Sequence, residues 1–382
     1  MLLPLLDKIT TQNSDLDATF GRNLLIVALG ILRKRTTNLW KVRDALNAIT
    51  GKPATRASSN YKRLNRFFQR YALRRFVILI VKLGLSLLGK LDIYLILDGS
   101  SWKEANGHDH YMTLCVVCRG VAVPILWLNL RRSGASSQKQ RMRLFKLAFK
   151  HFDLKGKVLL ADREYIGLDF FNFLVQSGLD FVIRARYTDY HALYAACGID
   201  FDAEVARLRR SRVKRKAIRR RWTHRGQTYW MVFAKNPHPN AKEDYMILLT
   251  NRDESPYQTV KHYLKRWKIE TCFKHLKSIG FDLEAMRVEG RKRRNLMFAV
   301  AVLVYILSVL EGLKTHAKKV KMKTYADGKT YARQSVFSYG VSLLESILLD
   351  LSTFERYLEQ HFNRLLNKPP KNRAFHAIRW NV

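Results

Sequence analysis

Apolar residues recur near a 3.6-residue spacing over 15–34, 38–49, 58–71 and 74–89, which predicts four helices in the first ninety residues. Ser14 or Asp15, Thr36 with Thr37, and Ser58 or Ser59 stand where their N-caps belong. The texture changes at residue 91. LDIYLILDGSSW reads as a buried strand that runs out at Asp98, and HYMTLCVVCRG and VAVPILWLNL predict two more strands joined by a tight turn at Gly120. A helix over 136–152, a short strand KVLLAD ending at Asp162, a helix over 166–177 and a strand LDFVIRAR follow. This order predicts an α/β fold, a mixed sheet with helices packed on its faces.

From about 187 to 250 the pattern loosens. Alternation over 227–234 and 244–250 predicts strands, so the segment reads as a β-rich insertion. From Ser255 the chain turns helical, with a Ser cap, Pro256 in the first turn and Gly280 as a stop. The rest predicts two or more long helices over about 292–366 and a loose basic tail in the last sixteen residues. The apolar run Leu296 to Leu310 is shorter than the roughly 20 residues of a membrane span and reads as a buried helix. The predicted divisions are a helical region at 1–90, a sheet-containing core at 91–290 and a C-terminal helical region at 291–382.

Charge sharpens this outline. The chain carries 69 Lys and Arg against 31 Asp and Glu, a net +38 over 382 residues, with 47% hydrophobic content. That content excludes a disordered chain, and the excess charge calls for a polyanion. Nucleic acid is the simplest partner and an anionic membrane the runner-up. The third predicted helix mixes Lys62, Arg63, Arg66 and Arg70 with Tyr61, Phe67 and Phe68, as a small DNA-binding module would. Residues 207–221 hold ten cations and no acid, including Arg210, Lys214 and Arg215, and read as a phosphate-binding tip. The four cysteines are too few for a disulfide framework. Cys115 and Cys118 form a lone CxxC on a predicted strand, whose sulfurs would face opposite ways. The N-terminus lacks the layout of a signal peptide.

Two carboxylates share a setting. Asp98 and Asp162 each end an apolar strand, where open sheets place their sites. On neighbouring strands they could hold divalent ions as hard oxygen ligands, Mg²⁺ or Mn²⁺ rather than zinc. The helix over 255–280 offers a third, Glu270. At about 100° per residue, Tyr263, Arg266, Glu270 and Lys277 fall within about 60° on one face. A carboxylate flanked by Tyr, Arg and Lys suits a metal ligand beside a phosphate track.

The spacing of Tyr263, Arg266, Glu270 and Lys277 resembles the Tyr-Arg-Glu-Lys signature of bacterial insertion-sequence DDE transposases of the insertion-sequence-four type. LILDGSSW around Asp98 and VLLADREY around Asp162 are similar to that family's other two signatures. The resemblance covers about 91–290. It implies a ribonuclease H-like catalytic core with a β-rich insertion, plus N-terminal and C-terminal helical regions. It implies that Asp98, Asp162 and Glu270 hold two Mg²⁺, with Mn²⁺ able to substitute, and that the enzyme cleaves and transfers DNA strands without a covalent protein–DNA intermediate. Tyr263, Arg266 and Lys277 would grip the phosphates, with Arg210, Lys214 and Arg215 as further DNA contacts. Residues 1–90 would read the terminal inverted repeats. The partners implied are double-stranded DNA, both transposon ends and target, and a second copy in a synaptic homodimer. No membrane role is implied, and the location is the bacterial cytoplasm, at the nucleoid.

The rivals are a catalytically silent DNA-binding relative or inhibitor and a different metal-dependent nuclease on the same fold. Among other candidates, Glu164 reads as a local ion-pair or helix-end contact, and His108-Asp109-His110 as a loop. Trp102 and Trp267 read as core or base-stacking residues, with core favoured. Glu284 and Glu289 read as surface.

Overall fold

The computed structural model describes residues 18–89, 91–104, 107–130, 135–186, 188, 191–213, 216–237, 243–324 and 330–367. The chain runs through α1 (Ala18–Lys34), α2 (Leu39–Val42), α3 (Leu46–Thr50), α4 (Ala57–Arg70) and α5 (Arg74–Leu88). Strands β1 (Tyr94–Glu104), β2 (Gly107–Cys118) and β3 (Val121–Asn129) precede α6 (Gln138–Phe149), β4 (Val158–Ala161), α7 (Leu168–Gln176) and β5 (Asp180–Ala185). Helices α8 (His191–Ala196) and α9 (Phe201–Arg210) lead to β6 (Ala217–His224), β7 (Gln227–Lys235) and β8 (Tyr245–Thr250). Then come α10 (Pro256–Tyr263), α11 (Lys268–Lys274), α12 (Arg291–Lys319), a small ribbon of β9 (Met322–Thr324) and β10 (Thr330–Ala332), α13 (Val336–Ile347) and α14 (Leu351–Asn367).

These elements cluster into two units. The first comprises Met1–Leu91, Trp102–His108 and Glu270–Val382, and the second Asp92–Ser101 and Asp109–Ile269. In the first, α12 is the central helix, packed by α1, α5 and α13. Its run from Leu296 to Val309 is buried, as a buried helix requires. By length and composition α12 could cross a membrane, and 89% of its most apolar window is buried. Several predicted caps move. Asn38, not Thr36 or Thr37, caps α2 by accepting from Trp40 N. Ser58 and Ser59 lie inside the first turn of α4, whose N-cap position is Arg56. Ser14 and Asp15 lie outside the described residues, as do all but the first of the last sixteen.

The second unit is built on a mixed eight-stranded sheet in the order β3-β2-β1-β4-β5-β8-β7-β6. Strands β1, β4 and β5 are parallel neighbours, and apolar runs such as VLLA, buried throughout, are what doubly covered parallel strands require. The other described pairings are antiparallel. The turn at Gly120 is as predicted, with Arg119 and Gly120 both at positive φ, which suits the twist of a two-residue hairpin. Two expectations change. The segment 187–250, read as β-rich, opens with the two helices α8 and α9, and its strands β6, β7 and β8 join the main sheet. His108 to His110 belong to β2 rather than to a loop.

Candidate functional site

Register places the two carboxylates side by side. The strand predicted to end at Asp98 continues to Glu104, because the polar residues after it stay in the extended ladder, so only Asp162 stands at a strand end. Leu97 of β1 pairs with Ala161 of β4 in parallel, so Asp98 and Asp162 are the next residues on neighbouring strands. Parallel strands run about 4.8 Å apart and equal register points side chains the same way. Both carboxylates therefore leave one face of the sheet, Asp162 just past the end of β4 and Asp98 partway along β1.

Each is held by its own backbone. Asp98 Oδ1 accepts from Gly99 N at 2.8 Å, and Asp162 Oδ1 accepts from Arg163 N at 2.8 Å. Gly99 has a steric reason to be glycine, since a Cβ there would lie 2.5 Å from His110 Nε2. His110 is buried, and its Nδ1 is 2.8 Å from Ser101 Oγ. Tyr165, three residues past Asp162, is fully buried. Burial first, and then the carboxylates of Glu164, Asp98 and Asp162, hold its hydroxyl well above the usual tyrosine range. It is therefore a neutral phenol at any working pH.

Two members of the predicted stripe reach these carboxylates directly. Arg266 Nη1 donates to Asp98 Oδ2 at 3.1 Å, and Tyr263 OH donates to Asp162 Oδ1 at 3.3 Å. Both donors are buried. Burial and the nearby Asp162 push the Tyr263 hydroxyl up to about 12, although Arg266 opposes the shift, so it remains a donor. Trp267, by contrast, is exposed, with the Arg266 guanidinium 5.5 Å from its ring. Trp102 is buried edge-on against Phe298 and is a core residue.

The single helix predicted over 255–280 is instead four pieces. Ser255 caps α10 as expected by accepting from Gln258 N, and Pro256 stands in its first turn. A 3-10 segment covers Leu264–Trp267, α11 follows, and a π turn covers His275–Ile279. These segments turn by different angles per residue, so the 100° arithmetic that aligned four residues does not hold along this stretch. Gly280 permits the π turn, because a Cβ there would lie 2.1 Å from His275 O. The chain passes from the second unit to the first between Ile269 and Glu270. Within the first unit, Lys277 pairs with Glu284 at 3.4 Å. Glu284 and Glu289 are exposed, as expected.

The basic block is only partly free. Arg209 pairs with Asp244 at 2.9 Å, Arg219 with Asp253 at 2.7 Å, and Arg220 with the buried Glu204 at 2.6 Å. Arg219 also stacks on Trp230. Asp244 and Asp253 are distant in sequence and Glu204 lies just outside the block, which is why the block read as wholly uncompensated. Arg210 is exposed at the end of α9. Lys214 and Arg215 lie outside the described residues.

A buried cluster that the pattern missed supports the Asp162 loop. Arg141, 4% exposed on the inner side of α6, donates to Ser136 O at 2.6 Å, Ile166 O at 2.9 Å and Glu164 O at 2.5 Å. Glu164 accepts from Ser136 N at 3.0 Å, which makes it a helix-end contact. An arginine in a basic amphipathic helix carries no signal that it points inward.

The donor set suits a hard divalent cation, because two carboxylates in register on neighbouring strands supply oxygen ligands on one face. Among the described residues no group of three or more His, Cys, Asp and Glu side chains gathers as a metal cluster. Cys115 and Cys118 are buried free thiols in β2. Burial drives the Cys118 thiol up to about 11, the opposite of what a thiolate ligand needs.

No curated protein sequence matches the chain significantly. Among solved structures, a piggyBac transposase synaptic complex with hairpin DNA is similar at 14% identity and a TM-score of 0.45, covering 94% of this chain and 80% of that one. The family model for the transposase DDE domain matches residues 89–307, more than half of the chain and both of the carboxylates just described, and the chain belongs to that family of DDE transposases.

Proposed function

We propose that the protein is an insertion-sequence transposase of the insertion-sequence-four type, with a ribonuclease H-like core, that cuts and joins DNA strands at its element's ends. The observation that carries this reading is the register of Asp98 beside Asp162 with Arg266 and Tyr263 bonded to them. Asp98, Asp162 and Glu270 are proposed as the carboxylates that hold two Mg²⁺ or Mn²⁺ ions. When bound, such ions act as Lewis acids toward the attacking and leaving oxygens of a phosphodiester.

The protein's own groups do the rest. Arg266 and Tyr263 are protonated donors at the carboxylates, placed to bind a phosphate presented there. Lys277 is a third such donor in the proposal, released from Glu284. Arg141 and Glu164 hold the Asp162 loop, so the carboxylate is set before DNA arrives. Residues 1–90 are proposed to read the terminal inverted repeats, two copies to join two ends, Arg210, Lys214 and Arg215 to contact backbone, and the bacterial nucleoid to be the site of action.

The test is cleavage and strand transfer on the element's own end DNA with Mg²⁺. Asp98→Ala, Asp162→Ala and Glu270→Ala should each abolish chemistry while end binding persists. Full activity in any of the three overturns the assignment of that residue. Wild-type end binding without cleavage would mark the silent relative instead.

A further inference from the structure

Helix α6 turns a second, unassigned face outward. Ser137 caps it through a reciprocal capping box with Gln140. Lys139, Arg143, Lys146 and Lys150 are all exposed and follow one another by four, three and four residues. At about 100° per residue they lie within about 60° of one another, and at 1.5 Å per residue they run for about 16 Å. With Met142 and Leu147 as floor they line a shallow open groove.

Among the described residues nothing balances this stripe. From His110 to Phe152 the sequence has no Asp or Glu. Among the described residues none of the four makes an ion pair. Like charges at helical spacing destabilise an isolated helix, so a stripe this regular is favourable only against an external polyanion. The groove is shallow, so it offers charge without a pocket for a base. A membrane-lying helix would leave bulky Trp, Phe or Leu exposed beside its cations for insertion, whereas Met142 and Leu147 are themselves half-buried against the protein.

We infer that the outer face of α6 is a sequence-independent track for the backbone of a duplex, the target DNA into which the element is joined. The length of the stripe matches four to five phosphates at about 3.4 Å per nucleotide of one strand. The opposite side of α6 carries Arg141, whose bonds to Glu164 O and Ile166 O tie the helix to the loop after Asp162. A duplex on the stripe is therefore held in fixed register with that carboxylate. This inference rests on the transposase reading for the identity of the duplex.

The experiment is metal-free binding by the full chain, titrated with salt, using a random-sequence duplex and separately the element's end duplex. R143Q/K146Q/K150Q should lower the slope of log affinity against log salt for random duplex by about 2.7, from 0.9 per phosphate contact. The charge-matched K318Q/K319Q/K321Q, in exposed positions elsewhere, should leave it unchanged. End binding in the stripe variant should change by less than one in slope. An unchanged random-duplex slope overturns the inference, as does an equal fall in both variants or a fall confined to end DNA. Loss of binding to phosphatidylserine vesicles with DNA binding intact also overturns it, in favour of a membrane surface. Because no metal or cleavage enters the assay, failure of the strand-cutting proposal shows only in the Asp98, Asp162 and Glu270 variants and is told apart.

Discussion

The block at 207–221 and the stripe on α6 are both basic, and they behave in opposite ways. The block is the denser in sequence, yet Asp244, Asp253 and Glu204 reach back to neutralise Arg209, Arg219 and Arg220. The stripe is diluted by apolar residues, yet all four of its cations stand exposed. Charge per residue of sequence is thus a poor guide to charge offered to a partner. What counts is whether the fold brings carboxylates within a few ångströms, where pairing competes with an external polyanion.

The largest effect should come from the inner side of α6. Arg141→Met leaves three carbonyls without their donor and should cost roughly 3 kcal/mol in urea unfolding. A loss under about 1 kcal/mol would remove the link between the stripe and the Asp162 loop. Next is the buried anchor of the block. Glu204→Gln should cost roughly 2 kcal/mol, discounted because Arg220 is about one-third exposed. Smaller still is the stripe itself, where R143Q/K146Q/K150Q should stay within about 0.5 kcal/mol of wild type while DNA binding weakens. Global unfolding of that variant would make the stripe structural.

The subtlest test uses the Arg209–Asp244 pair. Its hydrogen bond with Arg209 holds the Asp244 carboxyl below its ordinary 3.8. A depressed folded value means that the pair's contribution is present above the unfolded carboxylate pKa and is lost as pH falls through the folded value. Carboxyl NMR should give a midpoint below 3.8 that disappears in Asp244→Asn. The same variant frees Arg209 and should raise the random-duplex salt slope by up to about 0.9. No rise would mean that the block's cations serve the fold alone.

Much of the core was readable from local pattern. The apolar runs before Asp98 and Asp162 are strands because buried parallel strands need apolar side chains on both faces, and the Gly120 hairpin follows from positive φ at the turn. The helix at 255–280 was readable as helical but not as α, 3-10, α and π in turn. The π turn at its end depends on Gly280, which lacks the Cβ that would meet His275 O, a close approach with no periodic signature. His110 looked like part of a loop because a buried histidine held by Ser101 has the same letter as an exposed one. Arg141 was invisible for the same reason: an inward arginine with three carbonyl partners reads as one more surface cation.

The sequence by itself determined the strand-and-helix order of the core, the two aspartates that follow apolar strand residues, the excess of positive charge and the motif spacing that resembles a transposase signature. Each rests on neighbouring residues, whose periodicity and chemistry act over a few positions. Only the tertiary structure decided that Asp98 lies in register beside Asp162, that Arg266 and Tyr263 bond to those carboxylates, and which cations are spent on internal acids. Those outcomes depend on groups tens to hundreds of residues apart. Their energies fall off within a few ångströms, so no local pattern encodes them until the chain is folded.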